Sequence, residues 1–291
     1  MRKKLIPIVF LLIAITSIYV VFRSMNHNEL RVSFLDVGQG DAIFIQSPSG
    51  IQVLIDGGKD RSVVEELHKV MPLFDKKIDM VVATHPDADH IGGLIDVLKI
   101  FDVEVFLESG GQNENSAQDT LESKLKEKNI KRKITSRGEE YDLGKGVYIT
   151  TLYPYYDVSN TESNTGSLIM QLSYGEHTFL LTGDAPVESE LNLIGSDNGR
   201  LQSTVLKFGH HGSDTSTSYS FLEKVRPTYG VVSAGKHNVY GHPHADVLDR
   251  ALQFNVNILQ TSELGTITFS TNGKEIKVLN LPEDFQVKTL E

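Results

Sequence analysis

Apolar residues change their spacing along this chain, and the changes divide it into three stretches. Leu5 to Phe22 is apolar throughout except at Thr16, Ser17 and Tyr19, and Arg2, Lys3 and Lys4 precede it. A run of roughly 18 residues is just long enough to cross a bilayer. It exceeds the usual core of a secretory signal, and no small-residue cleavage pattern follows. The stretch is therefore predicted to be an uncleaved signal anchor, with secretion after cleavage as the alternative. Basic residues ahead of the span keep the N-terminus inside, so the remaining chain is expected to be extracytoplasmic at the cell membrane. Residues 1–28 then form a basic stub, anchor and polar connector, 29–281 one globular domain, and 282–291 a loose tail.

Within 29–281 short strands come first. Arg31–Val37, Ala42–Gln46 and Gln52–Ile55 read as strands, with Ser47-Pro48-Ser49-Gly50 as the turn between the last two. Helical spacing follows over Asp60–Val70, where Val63, Val64, Leu67 and Val70 share a side. Further strands are predicted at Ile78–Ala83, Val103–Leu107, Val147–Leu152, Ser167–Tyr174, Thr178–Leu181, Thr204–Phe208 and Tyr229–Val232. Helices are predicted at Ile91–Phe101, Asp119–Lys128, Pro186–Ile194, Ser218–Val225 and His244–Phe254, and three strands close the domain within Val256–Leu279. Strands that cluster and then alternate with helices predict layered α/β packing. No linker-like stretch divides the domain.

Composition narrows the chemistry. With no cysteine, any metal must be held by histidine or carboxylate. A formal net charge of -10 disfavours broad adhesion to nucleic acid. It leaves room for a substrate gripped through bound cations. Lys124–Lys133 carries six basic residues, which read as a solvated helix face and loop unless a polyanion covers them.

The chemistry concentrates where apolar strands end. After Ala83 comes Thr84-His85-Pro86-Asp87-Ala88-Asp89-His90-Ile91-Gly92-Gly93. Proline biases His85 towards extended backbone, and a period near two then puts His85, Asp87 and Asp89 on one side, with His90 at the mouth of the next helix. So many ligand-type groups repel one another unless a cation sits between them, and imidazole with carboxylate suits zinc, manganese or iron. The bland alternative makes Asp89 a helix cap and the histidines incidental. Thr182-Gly183-Asp184 ends a second apolar strand, and Gly209-His210-His211-Gly212-Ser213 a third. Because successive side chains alternate in extended structure, one of the two histidines is expected to be a ligand. His210 is preferred, leaving His211 to contact substrate or carry a proton.

Those three motifs, in this order, resemble the metallo-β-lactamase superfamily. Phe34-Leu35-Asp36-Val37-Gly38-Gln39-Gly40-Asp41, the stretch around His85 and Gly235–His244 resemble, more narrowly, the C-terminal domain of ComEC-type competence proteins. The resemblance implies a four-layer αββα sandwich, a centre of two divalent ions (zinc or manganese) at the sheet edges, and nuclease or phosphodiesterase activity on DNA during uptake. Its departures matter. Asp87 stands where the commoner motif has histidine, and Asn164 and Ser167 occupy the region of a further histidine ligand. The ligands would then be His85, Asp87, Asp89, His90, Asp184 and His210, a harder set that favours manganese more than usual. Asp214 follows the histidine pair where a basic residue is frequent, and the multi-span channel of complete competence proteins has no counterpart here.

Smaller roles are expected for neighbouring residues. Asp41 and Asp56 are candidates to orient ligands from behind. Asn164, Ser167, Lys207, Ser213, Tyr240 and His244 are candidates for substrate contact. Asp89 is expected to orient a metal-activated hydroxide, with His211 or His242 protonating the leaving group. The expected partners are DNA or another phosphodiester, and a lipid bilayer. A metallo-hydrolase acting on a phosphorylated wall component, lactone or β-lactam is the chief alternative, and a non-catalytic metal-binding receptor a further one.

Overall fold

The computed structural model describes residues 29–196, 201–279 and Leu281, with five isolated positions between 10 and 17. The predicted anchor, apart from those five positions, its connector and the tail lie outside the described residues. Among the described residues no helix is long and apolar enough to cross a membrane.

The first half of the domain supplies β1 (Leu30–Phe34), β2 (Ile43–Gln46), β3 (Gln52–Ile55), β4 (Lys77–Ala83), β5 (Asp102–Glu108) and β6 (Lys131–Ile134). Between them lie α1 (Ser62–Val70), α2 (Ala88–Ile91), α3 (Leu94–Ile100) and α4 (Ser116–Glu127). The second half supplies β7 (Glu140–Asp142), β8 (Val147–Tyr153), β9 (Ile169–Tyr174), β10 (His177–Leu181), α5 (Val187–Ser196), β11 (Val205–Lys207), α6 (Tyr219–Val225), β12 (Tyr229–Val232), α7 (Ala245–Gln253), β13 (Asn257–Gln260), α8 (Thr261–Leu264), β14 (Ile267–Thr271) and β15 (Ile276–Leu279). One sheet has the order β15-β14-β1-β2-β3-β4-β5-β6, the other β13-β12-β11-β10-β9-β8-β7.

Strand alternation explains the layering. Leu30, Val32 and Phe34 of β1, Ile43 and Ile45 of β2, and Phe179 and Leu181 of β10 share one buried cluster between the sheets. The intervening Phe44 and Val81 pack instead with α1 and α3 through Leu67, Leu94 and Leu98. Leu180, Leu206 and Val232 do the same on the other side with α5, α6 and α7. Two sheets whose opposite faces each carry helices make an αββα sandwich.

Apart from the four-residue helix α8, which the strand pattern over Val256–Leu279 does not predict, the sequence reading differs from the structure in two places. The helix predicted at Ile91–Phe101 is two helices, because Gly92 and Gly93 lie against another loop. A Cβ on Gly93 would stand 2.0 Å from the Gly57 carbonyl oxygen, and one on Gly92 2.1 Å from that of Lys59. This close approach clamps the loop after β3 onto the His85–His90 loop. Strands β6 and β7 were not predicted, being short and polar. Half of the basic run ending in β6 is ion-paired: Arg132 bridges Glu108 and Glu122, Lys133 meets Glu139 and Lys124 meets Glu127. That pairing favours its reading as a solvated surface.

β1, β3, β4, β5 and β6 run parallel to one another, as do β10, β11, β12 and β13. The C-terminal ends of β3, β4, β10, β11 and β12 carry Asp56, His85, Asp184, His210 and Ser233. Loops leaving such ends are where α/β folds gather ligand-binding groups.

Candidate metal centre

The loop after β4 is fixed before it reaches the centre. Asp56, left-handed at φ 58, accepts hydrogen bonds from Thr84 N at 2.8 Å and Thr84 Oγ1 at 2.7 Å. Its Oδ2 also lies 2.8 Å from His90 Nδ1, which donates to it. Since Thr84 Oγ1 spends its hydrogen on Asp56, it accepts from His85 Nδ1 at 3.0 Å. Both imidazoles are thereby held with Nε2 facing inward. The proline and extended Asp87 (φ -75, ψ 145) then turn the chain into α2.

The second sheet meets them with Asp184 and the histidine pair. Asp184 N donates to Ser167 Oγ at 3.3 Å. Its Oδ2 lies 3.2 Å from His90 Nε2, 3.3 Å from His211 Nε2, 3.8 Å from His210 Nε2 and 4.0 Å from His85 Nε2. His211 Nδ1 donates to the Ser233 carbonyl at 2.9 Å and stands 3.3 Å from Asp41 Oδ1. Asp41 is in turn paired through Oδ2 with Lys207 Nζ at 2.6 Å.

This arrangement corrects the alternation argument. His210 and His211 are both left-handed, at φ 46 and 55, so the two rings need not diverge as they would in a strand. Both turn Nε2 towards Asp184. The buried member is His211, which joins Asp41, His90 and Asp184 in a group whose ligand atoms lie within 4.8 Å of one another. His210, 28% exposed, sits at the rim with Nδ1 3.1 Å from Thr215 Oγ1. Lys207 is likewise corrected as a substrate contact. It shares the inter-sheet face of β11 with Val205, is fully buried, and spends its ammonium on Asp41 and the Phe208 carbonyl at 2.8 Å.

The remaining candidates spread outward. Asp89 places Oδ2 3.4 Å from His211 Nε2. Asp87 directs Oδ2 to His85 Nε2 at 3.7 Å, while its Oδ1 accepts from Asn113 Nδ2 at 2.8 Å and from Ser163 Oγ. Ser167 is buried against Asp184, which removes it from substrate reach. Asn164 has a buried, unpartnered Oδ1. Ser213 Oγ lies 3.0 Å from Thr215 Oγ1, and His244 Nδ1 accepts from Asp214 N at 3.1 Å, a local structural contact. His242 stands between the rings of His210, His211 and His244, with exposed Tyr240 stacked on it. Burial, with the neighbouring imidazoles of His210, His211 and His244, pushes His242 down to about 4. With that value it is neutral at pH 7 and only a weak base. Thr84, Asn113, Ser163, Thr215 and Ser233 were missed by sequence reasoning. Only Thr84 lay inside a recognised motif.

The donor set fits divalent cations. His85 Nε2, His90 Nε2, His211 Nε2 and Asp184 Oδ1 are all buried without a hydrogen-bond partner. Orphaned buried acceptors are costly, and four of them converging make a site for cations that take imidazole and carboxylate. Asp56 behind His90 and Asp41 behind His211 complete the carboxylate–histidine pairs usual behind metal ligands. Asp56→Asn is expected to weaken metal affinity by about 10–100-fold, read by titration with a competing chelator. Unchanged affinity would deny Asp56 its orienting role.

Protonation follows the same geometry. Burial opposes charge on His90 and His211, but the carboxylates of Asp184, Asp56 and Asp41 outweigh it and raise both well above the ordinary 6.5. Asp184, against its own burial, is held well below 3.8 by His211 and His90. Burial, then His90, lowers His85. For the metal-free protein the raised imidazoles stabilise the fold below 6.5 and lose that contribution as pH rises through their folded values. Asp184 contributes above 3.8 and loses it as pH falls through its lower folded value; His85 works against the fold below 6.5. The midpoint of thermal unfolding after chelation should therefore fall as pH rises on the alkaline side. Metal loading, which displaces those protons, should widen the gap between loaded and stripped protein in the same direction. A gap that narrows would refute the protonation scheme.

Comparison with known proteins agrees with this architecture. The model of the metallo-beta-lactamase superfamily matches residues 35–237, and the chain belongs to that superfamily. It is similar to ComE operon protein 3 of Bacillus subtilis (strain 168), 29% identical over 83% of this chain and 33% of the relative. Competence protein ComA of Neisseria gonorrhoeae is 29% identical over 89% of this chain and 35% of its own length. The chain thus spans about a third of these relatives. Among solved structures, the metallo-beta-lactamase fold protein YhfI from Bacillus subtilis superposes with a TM-score of 0.51 at 13% identity, covering 79% of this chain and 95% of that one.

Proposed function

We propose that this protein is a metal-dependent phosphodiesterase acting on DNA, held at the outer face of the cell membrane by its N-terminal apolar segment. The observation that carries the hydrolase reading is the convergence of unpartnered Nε2 atoms from His85, His90 and His211 on Asp184. Similarity to competence proteins supports DNA as the substrate class. His85, Asp87, Asp89, His90, Asp184, His210 and His211 would hold two divalent ions, zinc or manganese. Such ions supply hydroxide from water near neutral pH and offset charge on the substrate.

The chain's own residues do the rest. Thr84, Asp56 and Ser233 fix the tautomers of His85, His90 and His211 by accepting their Nδ1 hydrogens. Asp89, partly exposed beside His211, faces incoming substrate and orients the attacking oxygen. His242 stands beside His210 and His211 at the cleft, placed to pass a proton to the leaving group. Asn164 offers its free amide oxygen nearby.

A second reading draws on Lys207 and Asp214. With Lys207 buried against Asp41 and Asp214 exposed beside His244, no cation from the expected set is left for a phosphate chain. A less anionic substrate would suit that rim. The purified full chain, assayed for bound metal and challenged with single-stranded DNA, a phosphodiester dye and a β-lactam, separates the two. Metal-dependent cleavage of DNA supports the first reading. Turnover of the dye or β-lactam without DNA cleavage supports the second.

A further inference from the structure

The edge of the sandwich opposite the metal centre carries a feature that folding does not explain. Between α1 and β4, Pro72-Leu73-Phe74-Asp75 forms a turn closed by Asp75 N donating to the Pro72 carbonyl at 3.0 Å. Its two central residues, Leu73 and Phe74, are 83% and 90% exposed. They gain no burial from the fold. Phe74 also adopts φ 67, a left-handed conformation that favours glycine and is strained for a bulky side chain. The turn is nonetheless firmly held, because Asp75 accepts from Gln52 Nε2 at 2.8 Å and from Lys77 N at 3.0 Å. A rigid turn that presents two adjacent large apolar side chains to solvent has the form of an interaction site.

Topology says where that turn points. Leu30 begins β1 and Lys77 begins β4, and the two strands are parallel. The ladder aligns Arg31 with Gln46, Gln46 with Gln52, and Val53 with Met80. Glu29 and Lys77 therefore stand at the same edge, three strand spacings or about 14 Å apart. His85 lies eight residues along the chain from Lys77, roughly 25 Å away at the other edge. The chain thus enters the domain from residues 1–28 beside the Leu73–Phe74 turn and far from the metal centre. Lys76, Lys128, Lys131 and Lys274 are exposed on loops and strand starts at that edge, with Asp75, Asp102 and Glu275 among them.

We infer that the Leu73–Phe74 turn is a second membrane contact, dipping into the headgroup region of an anionic bilayer beside the N-terminal apolar segment. This rests on the reading of residues 5–22 as a membrane anchor. Two apolar side chains bind a bilayer weakly alone, but a neighbouring anchor makes their contact intramolecular. Lys76 lies next to them, where anionic headgroups attract it. The pair of contacts fixes the domain's orientation, with the metal centre turned away from the lipid.

The chain has no tryptophan, so Phe74→Trp introduces a sole indole reporter. The full-length variant is reconstituted into vesicles of phosphatidylcholine and phosphatidylglycerol and separated by flotation. Its emission should shift to shorter wavelength and be quenched by brominated lipid. Adding Lys76→Glu should weaken the quenching on these vesicles more than on phosphatidylcholine alone. Leu191→Trp, on the outer face of α5, should stay unquenched. The Leu73→Ser/Phe74→Ser chain should keep its turnover of a soluble substrate. Protein that floats while the indole at position 74 stays unquenched overturns the contact and leaves the anchor standing. A blue shift without quenching means that another protein surface covers the turn, and overturns it too. Protein that does not float removes the anchor reading, and this inference with it.

Discussion

Asp184→Asn is expected to lower kcat/KM for the proposed hydrolysis by about 1,000-fold or more, a loss of about 4 kcal/mol in transition-state stabilisation. The side chain sits at the junction of both sheets, with one oxygen within 3.2–4.0 Å of four imidazole Nε2 atoms. Asparagine keeps its shape and the backbone bond to Ser167 Oγ but removes the negative charge on which those imidazoles converge. Its amide can also present hydrogens to Nε2 atoms whose lone pairs must point at a cation. Bound metal, measured on the same sample, should fall with activity, while far-ultraviolet circular dichroism stays unchanged. His211→Ala should follow Asp184→Asn in losing metal, because His211 is buried inside the cluster. His210→Ala, at the rim, should lose less. Retention of metal and turnover by the asparagine variant would deny that these side chains form a centre.

How far this was legible in the sequence depends on the kind of information each residue carries. Layered α/β packing followed from apolar runs of strand length alternating with helical spacing, and most elements were found, whereas the αββα order of the layers came from the family resemblance. What escaped were β6 and β7, whose residues are polar because they lie at sheet edges, the single helical turn α8, too short to show a period, and the break at Gly92-Gly93, whose cause is a loop that approaches from elsewhere. The residues of the centre were legible because they cluster just beyond apolar strands. Their depth was not. Choosing between His210 and His211 relied on strand alternation, which the left-handed backbone at both positions cancels. Lys207 is a candidate for substrate contact from its place beside the histidine pair, since a lysine is rarely buried unless paired. Yet its parity with Val205 on β11 points it between the sheets, where Asp41 waits. Partners drawn from distant loops, such as Asn113 and Ser163 on Asp87, have no local signature at all.

That buried pair gives the largest expected effect on stability. Lys207 and Asp41 are 0% and 1% exposed. Burial works to raise the Asp41 carboxyl, but the Lys207 ammonium and then the neighbouring His211 hold it below its ordinary value. Lys207→Met keeps much of the side-chain volume and leaves a buried carboxylate with its main counter-charge gone. Such half-broken pairs cost about 3–5 kcal/mol, measured here as the loss in unfolding free energy by denaturant titration. The sign of the pH dependence follows. Without Lys207 the Asp41 carboxyl titrates higher than in the parent, so the variant gains less stability than the parent as pH rises through the carboxylate range. Its deficit against the parent should therefore grow with pH across the carboxylate range. Adding Asp41→Leu to Lys207→Met removes the stranded charge and should recover most of the loss, since an apolar pair of similar volume is often no worse than a buried ion pair. The recovered protein should still bind metal more weakly than the parent, because His211 has lost the carboxylate beside its Nδ1. A Lys207→Met chain as stable as the parent at every pH would mean that water reaches Asp41 and that the pair is not buried.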